Sequence, residues 1–237
     1  MSLLEEGIPY PEEVERFRLE AHRDRFRVAA LGDSVTLCAR QQKGDRWPDL
    51  LETLIGPSCS VVNAGIGGTS SNLGLFRWHR DIAPIEPNCV IICFVLNDSH
   101  IRFYECRSSY LVQCSVDRME ANLQSMADLA RFVGAVPVFW TPPPVPPWPE
   151  GFKNRLVMEL QLELLEQYVA IVERVARDRE IPLVDLWHTF PRLVDEYPGK
   201  YFNPPDGYHS NDASQPFIAR QIADRVLPVF EAWQNGK

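Results

Sequence analysis

The chain has 237 residues, 45% of them hydrophobic, and a formal net charge of −8. That acidity excludes duplex nucleic acid as the main partner, because phosphate binding needs a basic face. No run approaches the roughly 18 apolar residues of a membrane span. The length suits one sizeable domain, and with no low-complexity linker or internal repeat the expected organisation is a single domain over residues 1–237.

The charged stretch from Met1 to Arg25 has no apolar h-region and does not read as a secretory signal. Six cysteines lie scattered without C-x-x-C spacing. Both features point to a reducing, cytoplasmic setting. Pro11 to Arg23 reads as a short helix with Val14, Phe17 and Ala21 at helical spacing. Phe26 to Leu31 is a buried strand. Arg46 to Ile55 is a helix with Trp47, Leu50, Leu51 and Leu54 on one face, stopped by Gly56-Pro57. Ser60 to Asn63 is a second strand, followed by the glycine-rich loop Gly65-Ile66-Gly67-Gly68 and a helix from about Ser71.

Val90 to Leu96 is almost wholly apolar, as expected of a central parallel strand buried on both faces. Cys89 and Cys93 are read there as buried thiols, and Cys106 and Cys114 lie in a polar insertion where a pairing is the less favoured alternative. Asp117 to Val133 is a helix striped by Met119, Leu123, Met126, Ala130 and Val133. Val136 to Trp140 is the fourth strand. Lys153 to Arg179 is the longest helix, with Val157, Leu160, Leu164, Tyr168, Ile171 and Val175 as its apolar stripe. Leu183 to Leu186 is the fifth strand, and Ala213 to Trp233 the last helix.

Strands alternating with helices imply a parallel sheet covered on both faces. Right-handed crossovers make it doubly wound and flavodoxin-like, an α/β fold of five strands in the order 2-1-3-4-5. Ligands bind such sheets at the carboxyl ends of the strands. The polar and glycine-rich clusters all follow strands, at 32–36, 63–70, 97–100 and the proline run after strand four. One sheet edge therefore gathers them.

Gly32-Asp33-Ser34-Val35-Thr36 sits at the first strand-to-helix turn. A serine there presents its hydroxyl at an exposed edge and its N–H near the positive end of a helix dipole. The pentapeptide alone also fits a plain helix cap. A serine nucleophile needs a base within hydrogen-bond reach. His209, in Asp206-Gly207-Tyr208-His209, is the candidate, because an Asp three residues before a His on a turn can reach its ring and fix its tautomer. His188 with Asp185 is the rival pair, His22 and His79 read as surface or structural residues, and His100 lies near the site edge. Oxyanion donors are available from the Ser34 N–H, the glycine loop and the Asn97 amide.

Gly-Asp-Ser, Asn-x-Gly-x-Gly-Gly, Asn-Asp and Asp-x-x-His come in one order from Gly32 to His209. This order resembles the SGNH hydrolases, the GDSL esterases and lipases. The resemblance implies a serine ester hydrolase working through an acyl-enzyme, with Ser34 as nucleophile, His209 as base and Asp206 as its acid. It implies an oxyanion hole of Ser34, Gly68 and Asn97, supported by Asp33, Asn63 and Asp98. The family's third block usually carries a glycine where this chain has Val95, which resists a positive φ.

Ser99 to Val116, with Phe103, Tyr104 and Tyr110, and the stiff run from Thr141 to Pro149 are expected pocket walls. His100, Trp140 and Trp148 are the candidate substrate contacts. The expected partner is a small-molecule ester, with no metal or other cofactor and no nucleic acid. The oligomeric state is left open. An acyltransferase, passing the acyl group to a sugar hydroxyl, fits the same residues. A non-catalytic binding module is the alternative from another class, disfavoured by the intact Ser, Asp and His and by the lack of a G-x-x-x-x-G-K-[ST] loop.

Overall fold

A computed structural model describes residues 9–19, 24–41, 43–104, 109–145, 155–190, 200–202 and 209–236. The chain begins with α1 (Glu12–Leu19), β1 (Phe26–Gly32), α2 (Ser34–Leu37), α3 (Trp47–Ile55) and β2 (Cys59–Gly65). There follow α4 (Ser71–Phe76), α5 (Trp78–Asp81), a 3-10 turn (Ala83–Ile85), β3 (Cys89–Cys93), α6 (Val95–Asp98), β4 (Ile101–Tyr104) and β5 (Ser109–Val112). The last third comprises α7 (Val116–Phe132), β6 (Val136–Thr141), α8 (Arg155–Asp178), β7 (Leu183–Asp185), α9 (Leu186–Thr189) and α10 (Gln215–Asn235).

Five strands form one parallel sheet in the order β2-β1-β3-β6-β7. Counting only these strands, that is the expected 2-1-3-4-5. β1 and β3 are the inner strands, and Val28, Ala29, Ala30 and Leu31 on one, with Val90, Ile91 and Ile92 on the other, are all buried. Alternate residues point to opposite faces, so burial of both sets means both faces are covered. α3 packs on α10, and α7 packs on α4 and α8. In register, Phe26 pairs with Cys59 and Gly32 with Gly65, so β1 and β2 end side by side.

Several expectations change. Ser99 to Val116 is more than a connection: it holds an antiparallel hairpin, with Ile101 opposite Val112 and Tyr104 opposite Ser109. The side chains of Phe103, Tyr104 and Tyr110 lie outside the described ones. β3 stops at Cys93, and Val95 and Leu96 belong to a buried helical turn rather than to the strand. Likewise Leu186 begins a helical turn. Leu54, Val133 and Leu160 are exposed, not core. On α8, Tyr168, Ile171 and Val175 are buried as expected, and Gln161, Leu165 and Val172 share that buried face. Ala21, His22, Cys106, Trp148 and Asp206 lie outside the described residues. Cys89 and Cys93 are buried thiols as expected, and Cys114 is a free buried thiol rather than half of a disulfide.

Candidate active site

The site is built at the carboxyl ends of β1, β2 and β3. β1 ends on Gly32, where a Cβ would overlap the Thr36 hydroxyl and crowd the Cys93 carbonyl. Only glycine lets the chain turn directly into α2 here. Asp33 caps that short helix, its Oδ1 accepting from the Val35 N–H at 2.9 Å. The cap reading of this motif was therefore correct, and it coexists with a half-exposed Ser34 as the first helical residue.

Asn63, buried at the end of β2, serves both sides of the site. Its Nδ2 donates to the Thr36 carbonyl at 2.9 Å, and its Oδ1 accepts from the Gly65 N–H at 2.9 Å. Gly65 has no room for a Cβ because the backbone of Leu37 lies against it. The glycine loop then runs past the nucleophile candidate: a Cβ on Gly67 would stand 3.8 Å from that of Ser34. Gly68 has φ +73°, and its carbonyl accepts from Gln113 Nε2 at 3.0 Å.

Below these loops lies Arg77, 1% exposed. Its guanidinium donates to the Gly32 carbonyl at 2.9 Å, the Ala64 carbonyl at 2.6 Å and Asp81 at 2.7 Å. It thus joins the last carbonyl of β1 to the penultimate carbonyl of β2. Burial lowers its pKa, and the Asp81 carboxylate opposes that shift.

Asn97 sits in α6, with its Nδ2 donating to Asp33 Oδ2 at 3.0 Å. Val95 is simply the first residue of this helical turn, so the position makes no demand for a positive φ. Asp98 is buried; its Oδ1 accepts from the Ser71 N–H at 2.8 Å, while its Oδ2 has no hydrogen-bond partner among the described residues. Burial raises the pKa of Asp33, against the hydrogen bonds from Asn97 and Val35 and the charge of His209. Burial pushes the Asp98 carboxyl up to about 7, against its bonds from Ser71 and with an added push from the Asp33 charge.

His209 closes the arrangement. Its Nε2 lies 2.8 Å from the Ser34 hydroxyl, although 175 residues separate the two. The next residue holds it there. Ser210 bridges to Phe202, Asn211 donates to the Tyr201 carbonyl, and Gln215 donates to Ser210 Oγ at 3.3 Å. The Oε1 of Gln215 in turn accepts from the Trp47 N–H at 3.0 Å, tying the base of α10 to α3.

The rival pair also exists as a pair. His188 Nδ1 lies 2.9 Å from Asp185 Oδ2 and 3.2 Å from Glu173 Oε1, with the imidazole 60% exposed. Among the described residues, these three form the cluster whose donor atoms gather closely enough, within 4.8 Å, to hold a metal ion. Among the described residues no serine hydroxyl bonds to His188, whereas Ser34 bonds to His209.

A cavity of about 150 Å³ opens on the Ser34–His209 pair, with Asn97 and His100 in its wall and Leu96, Gln161 and Leu165 completing it. His100 thus lines this cavity. Trp140 does not: it is fully buried and packs edge-on against Trp47 at 5.7 Å, because β6 directs it into the core. Larger hollows of about 320 and 380 Å³ lie beside α1, and among the described residues their walls hold no such serine–imidazole pair.

The model of the GDSL-like lipase/acylhydrolase family matches residues 30–215. The chain belongs to that family. By membership it is a carboxylic ester hydrolase. The chain is similar to the thioesterase 1/protease 1/lysophospholipase L1 of Escherichia coli (strain K12), 25% identical over 210 residues that cover 86% of this chain and 88% of that one. The uncharacterized lipoprotein YqeF of Bacillus subtilis (strain 168) is 25% identical over 178 residues, covering 69% and 71%. The crystal structure of an acetylxylan esterase from Geobacillus stearothermophilus superposes with a TM-score of 0.66 at 21% identity, covering 84% of this chain and 93% of that one. At that identity the likeness is one of fold. No helix among the described residues is long and apolar enough to cross a membrane.

Arg77, Gln161 and Gln215 escaped the sequence reading. Gln161 carried a signal, since it falls at helical spacing with Leu165, Tyr168 and Val172. Arg77 carried none that distinguishes it from a surface arginine.

Proposed function

We propose that this GDSL hydrolase, acting as one catalytic domain, cleaves a carboxylic ester through an acyl-enzyme on Ser34. The observation that carries the reading is the 2.8 Å separation of His209 Nε2 from the Ser34 hydroxyl. Nε2 takes the hydroxyl proton as Ser34 Oγ bonds to the ester carbonyl carbon. For this Nε2 must be the unprotonated nitrogen, so the imidazole proton sits on Nδ1, and Asp206 is assigned to accept from it. The carbonyl π electrons move to oxygen, and the N–H groups of Ser34 and Gly68 and the Asn97 amide receive the anion. As it collapses, the C–O bond to the alcohol breaks and His209 gives its proton to the leaving oxygen. Water, deprotonated by His209, then releases the acid and restores Ser34.

Asp33, Asn63 and Asp98 support this set from behind. Asp33 holds the Asn97 amide, Asn63 holds α2 and the glycine loop, and Asp98 holds the start of α4. His100 is assigned a substrate contact. Transfer of the acyl group to a sugar would differ only in the second step, with a hydroxyl in place of water, and product analysis with added sugar separates the two.

The five buried free thiols, Cys38, Cys59, Cys89, Cys93 and Cys114, support a reducing compartment, and cell fractionation tests it. Fluorophosphonate labelling followed by peptide mass spectrometry tests the nucleophile. The adduct is expected on Ser34; an adduct on any other residue, or none, contradicts the assignment.

A further inference from the structure

Gln161 is a polar residue on the buried face of α8, 2% exposed, and every bond of its amide points toward the loop after Asn97. Its Nε2 donates to the Ser99 carbonyl at 3.0 Å and lies 3.3 Å from the Ser99 hydroxyl. Its Oε1 accepts from the Ile101 N–H at 2.9 Å. Gln161 thus clamps the turn that carries His100 into the cavity, while its own methylenes and Leu165, one turn later, form the wall.

Two features say what this cavity receives. The first is chemistry. Leu96 and Leu165 offer only hydrocarbon, and the amide of Gln161 is committed to Ser99 and Ile101. That wall is hydrocarbon beside an amide whose N–H donors are already engaged by Ser99, so it suits an alkyl chain better than a hydroxylated one. The second is size. A cavity of about 150 Å³ is the size that takes one benzene ring, roughly six heavy atoms. The reacting carbonyl carbon and oxygen take two of these places, which leaves room for about four more carbons.

Resting on the acyl-enzyme reading, we propose that Gln161 and Leu165 set an acyl-length limit of about five carbons, so that the substrates are esters of short carboxylic acids. Leu165 acts by volume. Gln161 acts as a positioning residue, holding the Ser99–Ile101 turn and so the opposite wall.

The test compares kcat/KM on p-nitrophenyl acetate, butanoate, hexanoate and octanoate. The wild type is expected to lose at least tenfold between butanoate and octanoate. Leu165→Ala, which deepens the cavity, is expected to raise the octanoate-to-butanoate ratio at least tenfold, and Leu165→Phe to lower the butanoate-to-acetate ratio. Gln161→Met keeps the volume and loses the clamp; its expected signature is a flattened length profile, with a lower kcat on acetate at little change in KM. A length profile identical to wild type in folded Leu165→Ala and Leu165→Phe overturns the proposal. So does a limit that follows the length of the alcohol instead of the acid. If Ser34 were not the nucleophile, fluorophosphonate labelling would fail at Ser34 whatever the length profile, so the two failures are distinguishable.

Discussion

The side-chain amide of Asn97 donates at 3.0 Å to Asp33, a carboxylate with no exposed surface. One amide hydrogen is thereby committed, and the plane of the amide is set by a group that is itself held by the Val35 N–H. The aspartate of the Gly-Asp-Ser block thus joins the α2 cap to the assigned oxyanion donor. Asn97→Ala should lower kcat by about 10²–10³ with KM little changed, since the donor acts on charge that develops only in the transition state. Asp33→Asn replaces an acceptor by an amide facing another amide. It should lower kcat by a smaller factor, about tenfold, through misorientation of Asn97. Steady-state kinetics on one ester decide it; a drop seen only in KM would contradict the arrangement.

Asp98 makes stability depend on pH. The folded carboxyl keeps its proton to about pH 7, against an ordinary value of 3.8. Between those limits the folded state binds the extra proton, so stability falls as pH rises through the window, by up to about 1.4 kcal/mol per unit from this group. Asp98→Asn removes that slope while Oδ1 still accepts from Ser71. Denaturant titrations from about pH 5 to 8 should show the variant gaining on the wild type as pH rises. Parallel curves would contradict the burial account.

Gly65 and Gly68 should respond differently to one added methyl. At Gly65 the Cβ meets the Leu37 backbone, which cannot move without displacing α2. At Gly68 there is open space, but φ is +73°. Gly68→Ala should cost about 1–2 kcal/mol, the price of left-handed backbone for an L-residue. Gly65→Ala should cost more and lower activity with it, because Ser34 lies in the same helix. Equal losses in a urea titration would contradict this.

Arg77 is predicted to be structural. Arg77→Met leaves Asp81 buried with Arg80 as its remaining partner and removes the donor from two strand-end carbonyls. Removing one member of a buried pair costs about 3–5 kcal/mol. The low end is expected, because Arg80 remains 2.5 Å from Asp81. Thermal unfolding measures it, and an unchanged midpoint would show that the buried network contributes nothing net.

The parallel sheet was legible because its inner strands are mostly apolar runs, and runs such as Phe26–Leu31, interrupted only by Arg27, are best buried in a sheet interior. The end of β3 was not. Val95 and Leu96 are as apolar as Ile91 and Ile92, and hydrophobicity does not distinguish a buried strand from a buried helical turn. On α8 the sequence placed Tyr168, Ile171 and Val175 correctly but Leu160 wrongly, for a related reason: Gln161 looks polar and Leu160 apolar, yet three hydrogen bonds offset the burial of Gln161 while Leu160 faces out. Trp140 was read as a pocket residue from its position at a strand end, but period-two alternation in β6 turns it toward Trp47. The meeting of Ser34 and His209 was legible from the Asp-x-x-His spacing and the order of the four blocks, since a serine needs a base and topology alone left His188 as a rival.

The most direct measurement is the rate of p-nitrophenyl ester hydrolysis by the wild type, Ser34→Ala and His209→Ala, with folding checked by circular dichroism. Both variants should fall by at least ~10³ in kcat, and the double variant should be little worse than either single one, because the two groups act as a unit. Retention of wild-type activity by folded Ser34→Ala would contradict the account.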